Sequence, residues 1–231
     1  MARHASLTRV TIVEDHELFA EALEMALSLQ GYVVSRVQVR EHAAPASRVL
    51  EAVLRQRPQV VVLDLDLGPV TDGAQLVRPL REAGVGVMVV SATTDRARLG
   101  QCLQLGAQAV VPKAESLNTV LGQLRAVVNG QPAMPREQRE ELLATFEKER
   151  HQLRDIRTRL DSLSPREAEV LAELTSGHTV SEIAHRWFVS EATVRSQVKA
   201  IRTKLGVHSQ VAAVSLALRV RWQPPRRAHP V

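Results

Sequence analysis

Two four-residue runs constrain this chain more than anything else in it. VVVL at 60–63 and VMVV at 87–90 contain no polar residue at either parity. A strand that alternates apolar and polar buries one face. A strand that is apolar throughout is buried on both faces, as inside a parallel sheet covered by helices. Around these runs, short β-rich segments (Arg9–Val13, Tyr32–Val37, Gln59–Leu63, Gly86–Ser91, Gln108–Val111) alternate with helical patterns (Glu17–Gln30, Ala44–Arg57, Gly73–Ala83, Thr94–Leu105, Ser116–Asn129). Five such β–α units predict a doubly wound α/β domain with a five-stranded parallel sheet over residues 1–130. Aromatic residues are only 3% of the 231, so the cores must be built from Ala, Val and Leu.

Residues 131–162 read differently. Pro132 and Pro135 stop the preceding helix, and a long segment without Gly or Pro follows. Leu142, Phe146, Leu153, Ile156, Leu160 and Leu163 recur at alternating spacings of four and three, with Glu149 in one slot. This spacing fits a short two-stranded coiled coil through Leu153, Ile156 and Leu160, or a linker helix packed on a neighbouring domain. Residues 163–222 read as four short helices. Ser164-Pro165 with Glu167, and Thr179 with Glu182, are capping boxes; Ser190 is a further N-cap, and Gly206 a stop signal. Residues 223–231, with three prolines, are expected to be a disordered tail.

The net charge of +5 is unevenly placed: basic and acidic residues balance through residue 163, and residues 164–231 hold 10 basic against 5 acidic side chains. That asymmetry suggests a polyanion-binding module at one end. Cys102 is the only cysteine, which excludes a disulfide framework and a thiolate metal site. The N-terminus lacks a signal-peptide core, and no run approaches the roughly 20 apolar residues of a membrane span, so a cytoplasmic protein without membrane contact is expected.

In the first domain, Glu14 and Asp15 follow the first predicted strand, Asp64 the third and Lys113 the fifth, while Ser91 ends the fourth. Each therefore lies at the carboxyl edge of a parallel sheet, where open α/β folds bind ligands. Converging carboxylates repel one another, and Mg²⁺ relieves that repulsion through oxygen ligands. Such a site suits phosphoryl acceptance. Asp64 would attack phosphorus, Lys113 and Mg²⁺ would neutralise the phosphoryl oxygens, and Ser91 would donate a hydrogen bond.

The segments VTIVEDHELF, RPQVVVLDLDLG, VMVVSATTD and LGAQAVVPKAES make the first domain resemble the receiver domain of bacterial two-component response regulators, a flavodoxin-like fold. The resemblance implies Asp64 as phosphoacceptor, Glu14 and Asp15 as acidic pocket, and Ser91 and Lys113 as phosphate-binding switch residues. It implies Asp15, Asp64 and the backbone carbonyl of Asp66 as Mg²⁺ ligands, and a sensor histidine kinase as phosphodonor. Three features depart from the family pattern. The loop DLDLGPVTDG is one residue longer than usual and lacks the customary Met-Pro. Val110 stands where the family carries an aromatic whose rotamer is coupled to the switch hydroxyl. A phosphorylation-independent regulator of the same architecture is therefore the alternative. A D-x-D phosphatase, with Asp66 as general acid, is a remote one: its acidic pair should follow Lys113, where only Glu115 stands.

Residues 164–218 resemble the LuxR/NarL-type helix-turn-helix domain, through EIA, S-E-x-T-V and KLGV. One face of the helix after Ser190 carries Val194, Val198, Ile201 and Leu205. The other carries basic and hydroxyl side chains and is of a width to enter the major groove of double-stranded DNA. The resemblance assigns Arg195, Ser196 and Lys199 to base edges. Thr193, Arg202, Lys204, Thr179 and Ser181 are expected to meet phosphates, and Trp187 and Phe188 to be core. The helix from Ser209 is apolar enough to pair two copies through Val211, Val214, Ala217 and Leu218, or to close the small domain's own core. The implied function is that of a homodimeric transcription regulator, not an enzyme.

Overall fold

A computed structural model describes residues 8–38 and 45–224. Ala44, the expected start of the second helix, lies outside the described residues, as do residues 225–231 of the expected tail. The chain forms two compact units, Met1–Glu147 and Lys148–Val231.

In the first unit, strands β1 (Arg9–Glu14), β2 (Val33–Gln38), β3 (Val60–Leu63), β4 (Gly86–Ser91) and β5 (Ala109–Pro112) alternate with helices α1 (Glu17–Leu29), α2 (Ala46–Arg55), α3 (Ala74–Glu82), α4 (Arg96–Gln104) and α5 (Leu117–Val128). All pairings are parallel, in the order β2-β1-β3-β4-β5. The unbroken apolar runs explain the layering. Val60 and Val62 pack beneath α1 and α5 with Leu23, Leu27, Leu124 and Val127. Val61 and Leu63 face the opposite layer, with Val53, Leu76, Val77, Leu80 and Leu103. Each buried aliphatic side chain contributes about 1.5–3 kcal/mol, so the central strands are held from both sides.

Helix α6 (Arg136–Asp161) contributes to both units. Its Leu142 is buried in the first unit's core, while Ile156 and Leu160 are buried in the second unit's core beside Leu163. This corrects the coiled-coil expectation. The seam residues Ile156 and Leu160 are consumed within their own chain, and Leu153 is only half-exposed.

The second unit also holds α7 (Pro165–Thr175), α8 (Val180–Arg186), α9 (Glu191–Leu205) and α10 (Gln210–Arg219). Both capping boxes form, and Gly206 closes α9 at φ +68, a left-handed conformation that glycine adopts without strain. Val194, Ile201 and Leu205 of α9 pack on Leu171, Leu174 and Ile183. One expectation fails here. Phe188 is not core: it ends the turn before α9 at φ +54 and is 94% exposed. Lys204, expected to meet phosphate, has its Nζ 2.7 Å from Glu167 Oε2.

Glu167 is nearly buried, accepts the Ser164 N–H at 2.6 Å, and holds Lys204. Burial alone would raise its carboxyl, but hydrogen bonds from Lys204 and Ser164 outweigh burial and hold it below the usual range. A carboxylate with a depressed folded pKa stabilises fully above its unfolded pKa, and that contribution disappears as pH falls through the folded value. Glu167→Gln should therefore cost about 1 kcal/mol at neutral pH. The gap between the melting temperatures of the two proteins should close below about pH 4. Calorimetry across pH 3–7 reads this; a gap that persists at the acid end removes the ion pair from the account.

Candidate phosphoacceptor site and DNA-binding helix

The carboxyl ends of β1, β3, β4 and β5 bring the expected acidic residues together. Glu14 is the last residue of β1, and Asp64 follows β3; both side chains are almost fully buried. Lys113, just beyond β5, extends between them, with its Nζ 2.8 Å from Asp64 Oδ2 and 2.7 Å from Glu14 Oε2. The ring of Phe19 flanks that ammonium at 5.2 Å. Asp64 Oδ1 accepts the Leu65 N–H at 2.7 Å. Asp15 is exposed, and its Oδ1 lies 2.8 Å from His16 Nδ1. Ser91, buried at the end of β4, accepts the Thr93 N–H at 3.2 Å.

Burial raises the Glu14 carboxyl above its ordinary range, although Lys113 and the His16 amide pull the other way. Burial also opposes the charge of Lys113, but its hydrogen bonds to Asp64 and Glu14 prevail and raise its pKa. Ligand atoms of Glu14, Asp15, His16 and Asp64 lie within 4.8 Å of one another. Glu14 and Asp64 face one ammonium while Asp15 pairs with His16, and the hard oxygen donors of the three carboxylates fit a divalent cation such as Mg²⁺. His16 belongs to this cluster and is absent from the sequence-derived set, although it directly follows the acidic pair.

The loop after Asp64 turns back on itself. Asp66 bridges Asp72, and Gly73 donates its N–H to the Leu65 carbonyl at 2.9 Å. Arg98 of α4 grips both arms, with Nη1 2.8 Å from Asp66 Oδ1, and Nη2 2.9 Å from Asp72 Oδ1 and 3.1 Å from the Leu65 carbonyl. Burial works against the guanidinium charge, yet hydrogen bonds to Asp66 and Asp72 leave its pKa above the usual value. Val110 is buried in the core between the sheet and α2–α4.

In the second unit, Thr193, Arg195, Ser196 and Lys199 are exposed on the outer side of α9, and Arg202 is half-buried. Arg195 pairs with Glu191 at 2.9 Å, while Arg202 donates to the His208 carbonyl. Thr179 is exposed and occupied as the α8 cap. On α10, Ala217 is buried in the unit's own core and Val214 packs against it. Val211 and Leu218 are 74% and 60% exposed, whereas Ala217, expected to pair two copies, is buried in its own unit.

The model of the response regulator receiver domain matches residues 10–125. That of the luxR family of bacterial regulatory proteins matches residues 161–217. The chain is a response regulator of the LuxR/NarL family. Among its relatives, the transcriptional regulatory protein NarL of Mycobacterium tuberculosis is 31% identical over 219 residues, covering 92% of this chain and 94% of that one. The DNA-binding transcriptional activator EvgA of Escherichia coli is 25% identical, with coverage of 90% and 96%. RcsB of Salmonella enterica serovar Typhimurium, solved bound to a promoter, shares the fold at 23% identity and a TM-score of 0.50, covering 91% of this chain and 97% of that one. This response regulator thus belongs to the DNA-binding transcription regulators. Among the described residues, no helix is long and apolar enough to cross a membrane.

Proposed function

We propose that this response regulator accepts a phosphoryl group on Asp64 from a sensor histidine kinase and, as a homodimer, binds double-stranded DNA through α9. The observation that carries the reading is the buried Asp64 carboxylate held by Lys113 beside the acidic pair. A carboxylate oxygen of Asp64 attacks the phosphorus of a phosphohistidine protonated on its other ring nitrogen; the P–O bond forms, the P–N bond breaks with its electron pair going to nitrogen, and the imidazole leaves neutral. Lys113, already at Asp64, meets the phosphoryl oxygens, and the Ser91 hydroxyl turns to donate to them. Asp15, Asp64 and the Asp66 carbonyl would hold Mg²⁺, with Glu14 shaping the pocket; when bound, the ion supplies charge neutralisation at phosphorus.

Arg195, Ser196 and Lys199 take the base edges, and Thr193, Arg202, Thr179 and Ser181 the phosphates. Lys204 is left to its structural partner Glu167. A second copy of the chain covers the outer face of α10 at Val211, Val214 and Leu218, in place of the coiled coil that Ile156 and Leu160 cannot supply. The test is intact mass after incubation with Mg²⁺ and acetyl phosphate. The wild type should gain one phosphoryl group and Asp64→Asn none. Absence of an adduct on the wild type transfers the reading to a regulator of the same architecture that takes its signal without phosphate, the course that the short Val110 side chain would favour.

A further inference from the structure

Helix α4 touches the phosphoacceptor loop with one face and α6 with the other. Residues four apart share a helix face, and a residue two positions on points away from both. Arg96 and Gly100 form the face toward α6. Arg96 Nη2 lies 2.7 Å from Glu141 Oε1 of α6. Gly100 meets α6 so closely that an added Cβ would fall 2.1 Å from the Leu142 carbonyl oxygen and 2.9 Å from Phe146 Cβ. Arg98, on the other face, holds Asp66, Asp72 and the Leu65 carbonyl with both terminal nitrogens. Its side chain is only 25% exposed. A planar fork with several donors can staple two arms of a loop at once, whereas a lysine ammonium offers a single centre.

We propose that Arg98 is a positioning residue that couples the Asp64 loop to the linker helix, α4 acting as a rigid lever between them. The inference rests on the phosphoacceptor reading of Asp64. Added charge on Asp64 displaces the loop that begins there, and the Arg98 fork carries the displacement into α4. Backbone contact at Gly100 leaves no flexible side chain to absorb it, so α6 must follow, because packed interfaces shift between discrete arrangements rather than deform smoothly. This route requires no movement of Val110, which is buried in the core.

Hydrogen exchange on the full chain tests the lever, first without a phosphodonor. Arg98→Gln and Arg98→Lys should each speed exchange about tenfold in residues 65–72 and in 139–147, with residues 17–29 unchanged. Gly100→Ala should speed exchange in 139–147 and leave 65–72 as they were. If Arg98→Gln loosens the loop alone, Arg98 is a local staple and the lever is overturned. A second arm adds Mg²⁺ and acetyl phosphate and follows molecules that carry the adduct. The wild type should change its protection at 139–147, and Arg98→Gln should not; an equal change in both overturns the coupling. A wild type without adduct refutes the phosphoacceptor reading, and the first arm still decides the lever.

Discussion

Gly73→Ala should melt the receiver unit about 10 °C below the wild type. Gly73 sits at φ −56 and ψ −27, which any residue can adopt, so backbone freedom is not the reason. The reason is distance. A Cβ at this position would fall 2.0 Å from the Asp64 carbonyl oxygen and 2.9 Å from the Leu65 Cα. Both obstacles are backbone, and one belongs to the proposed phosphoacceptor. Relief would require withdrawing the loop from the end of β3, which would break the Gly73–Leu65 hydrogen bond and pull Asp72 away from Arg98. Forced overpacking of this kind costs about 3 kcal/mol. Scanning calorimetry reads it, with the transition of the second unit as an internal reference that should not move. An unchanged receiver transition would show that the loop does not close on Asp64 in solution.

What the sequence could and could not disclose follows from the range of the interactions. Strand and helix positions in the first unit are legible because burial writes itself into local pattern. VVVL and VMVV announce strands covered on both faces, and every expected element is present within a few residues of its predicted ends. The acidic cluster is legible for a related reason. Glu14, Asp64 and Lys113 are far apart in sequence, but each adjoins the carboxyl end of a strand, and a parallel sheet brings those ends to one edge. Arg98 is not legible. It lies 32 residues from Asp66 and three from the Asp95 cap of its own helix, and nothing nearby marks it as reaching back to the loop. The linker fails for the opposite reason. A four-three apolar repeat records only that one side of α6 is buried, and the same repeat serves a second copy, the first unit's core at Leu142, or the second unit's core at Leu160. Residue type alone points Phe188 inward, but it adopts a positive φ in the turn between α8 and α9 and its side chain is exposed.

Arg195→Ala combined with Lys199→Ala should weaken binding to the preferred DNA of this response regulator by about 10²–10³-fold, while the fold stays intact. Both side chains are exposed on the outer side of α9, and neither contributes to the core formed by Val194, Ile201 and Leu205. In the free protein Arg195 spends its charge only on Glu191, an exposed pair one helical turn away that contributes little to stability. The two losses should differ in kind. An arginine that reads guanine gives up about 1–3 kcal/mol and its sequence preference together, so Arg195→Ala should broaden the set of sequences bound. A lysine that met only phosphate would weaken all sequences alike and reduce the salt slope by about one. Lys199→Ala therefore decides whether that residue reads bases as proposed or only neutralises the backbone. The sequences enriched by the wild type from a random duplex pool serve as the probe, titrated at several salt concentrations, with Ser196→Ala as a variant of small expected effect. Wild-type affinity in the double variant would remove α9 from the groove and reassign recognition to another surface of the second unit.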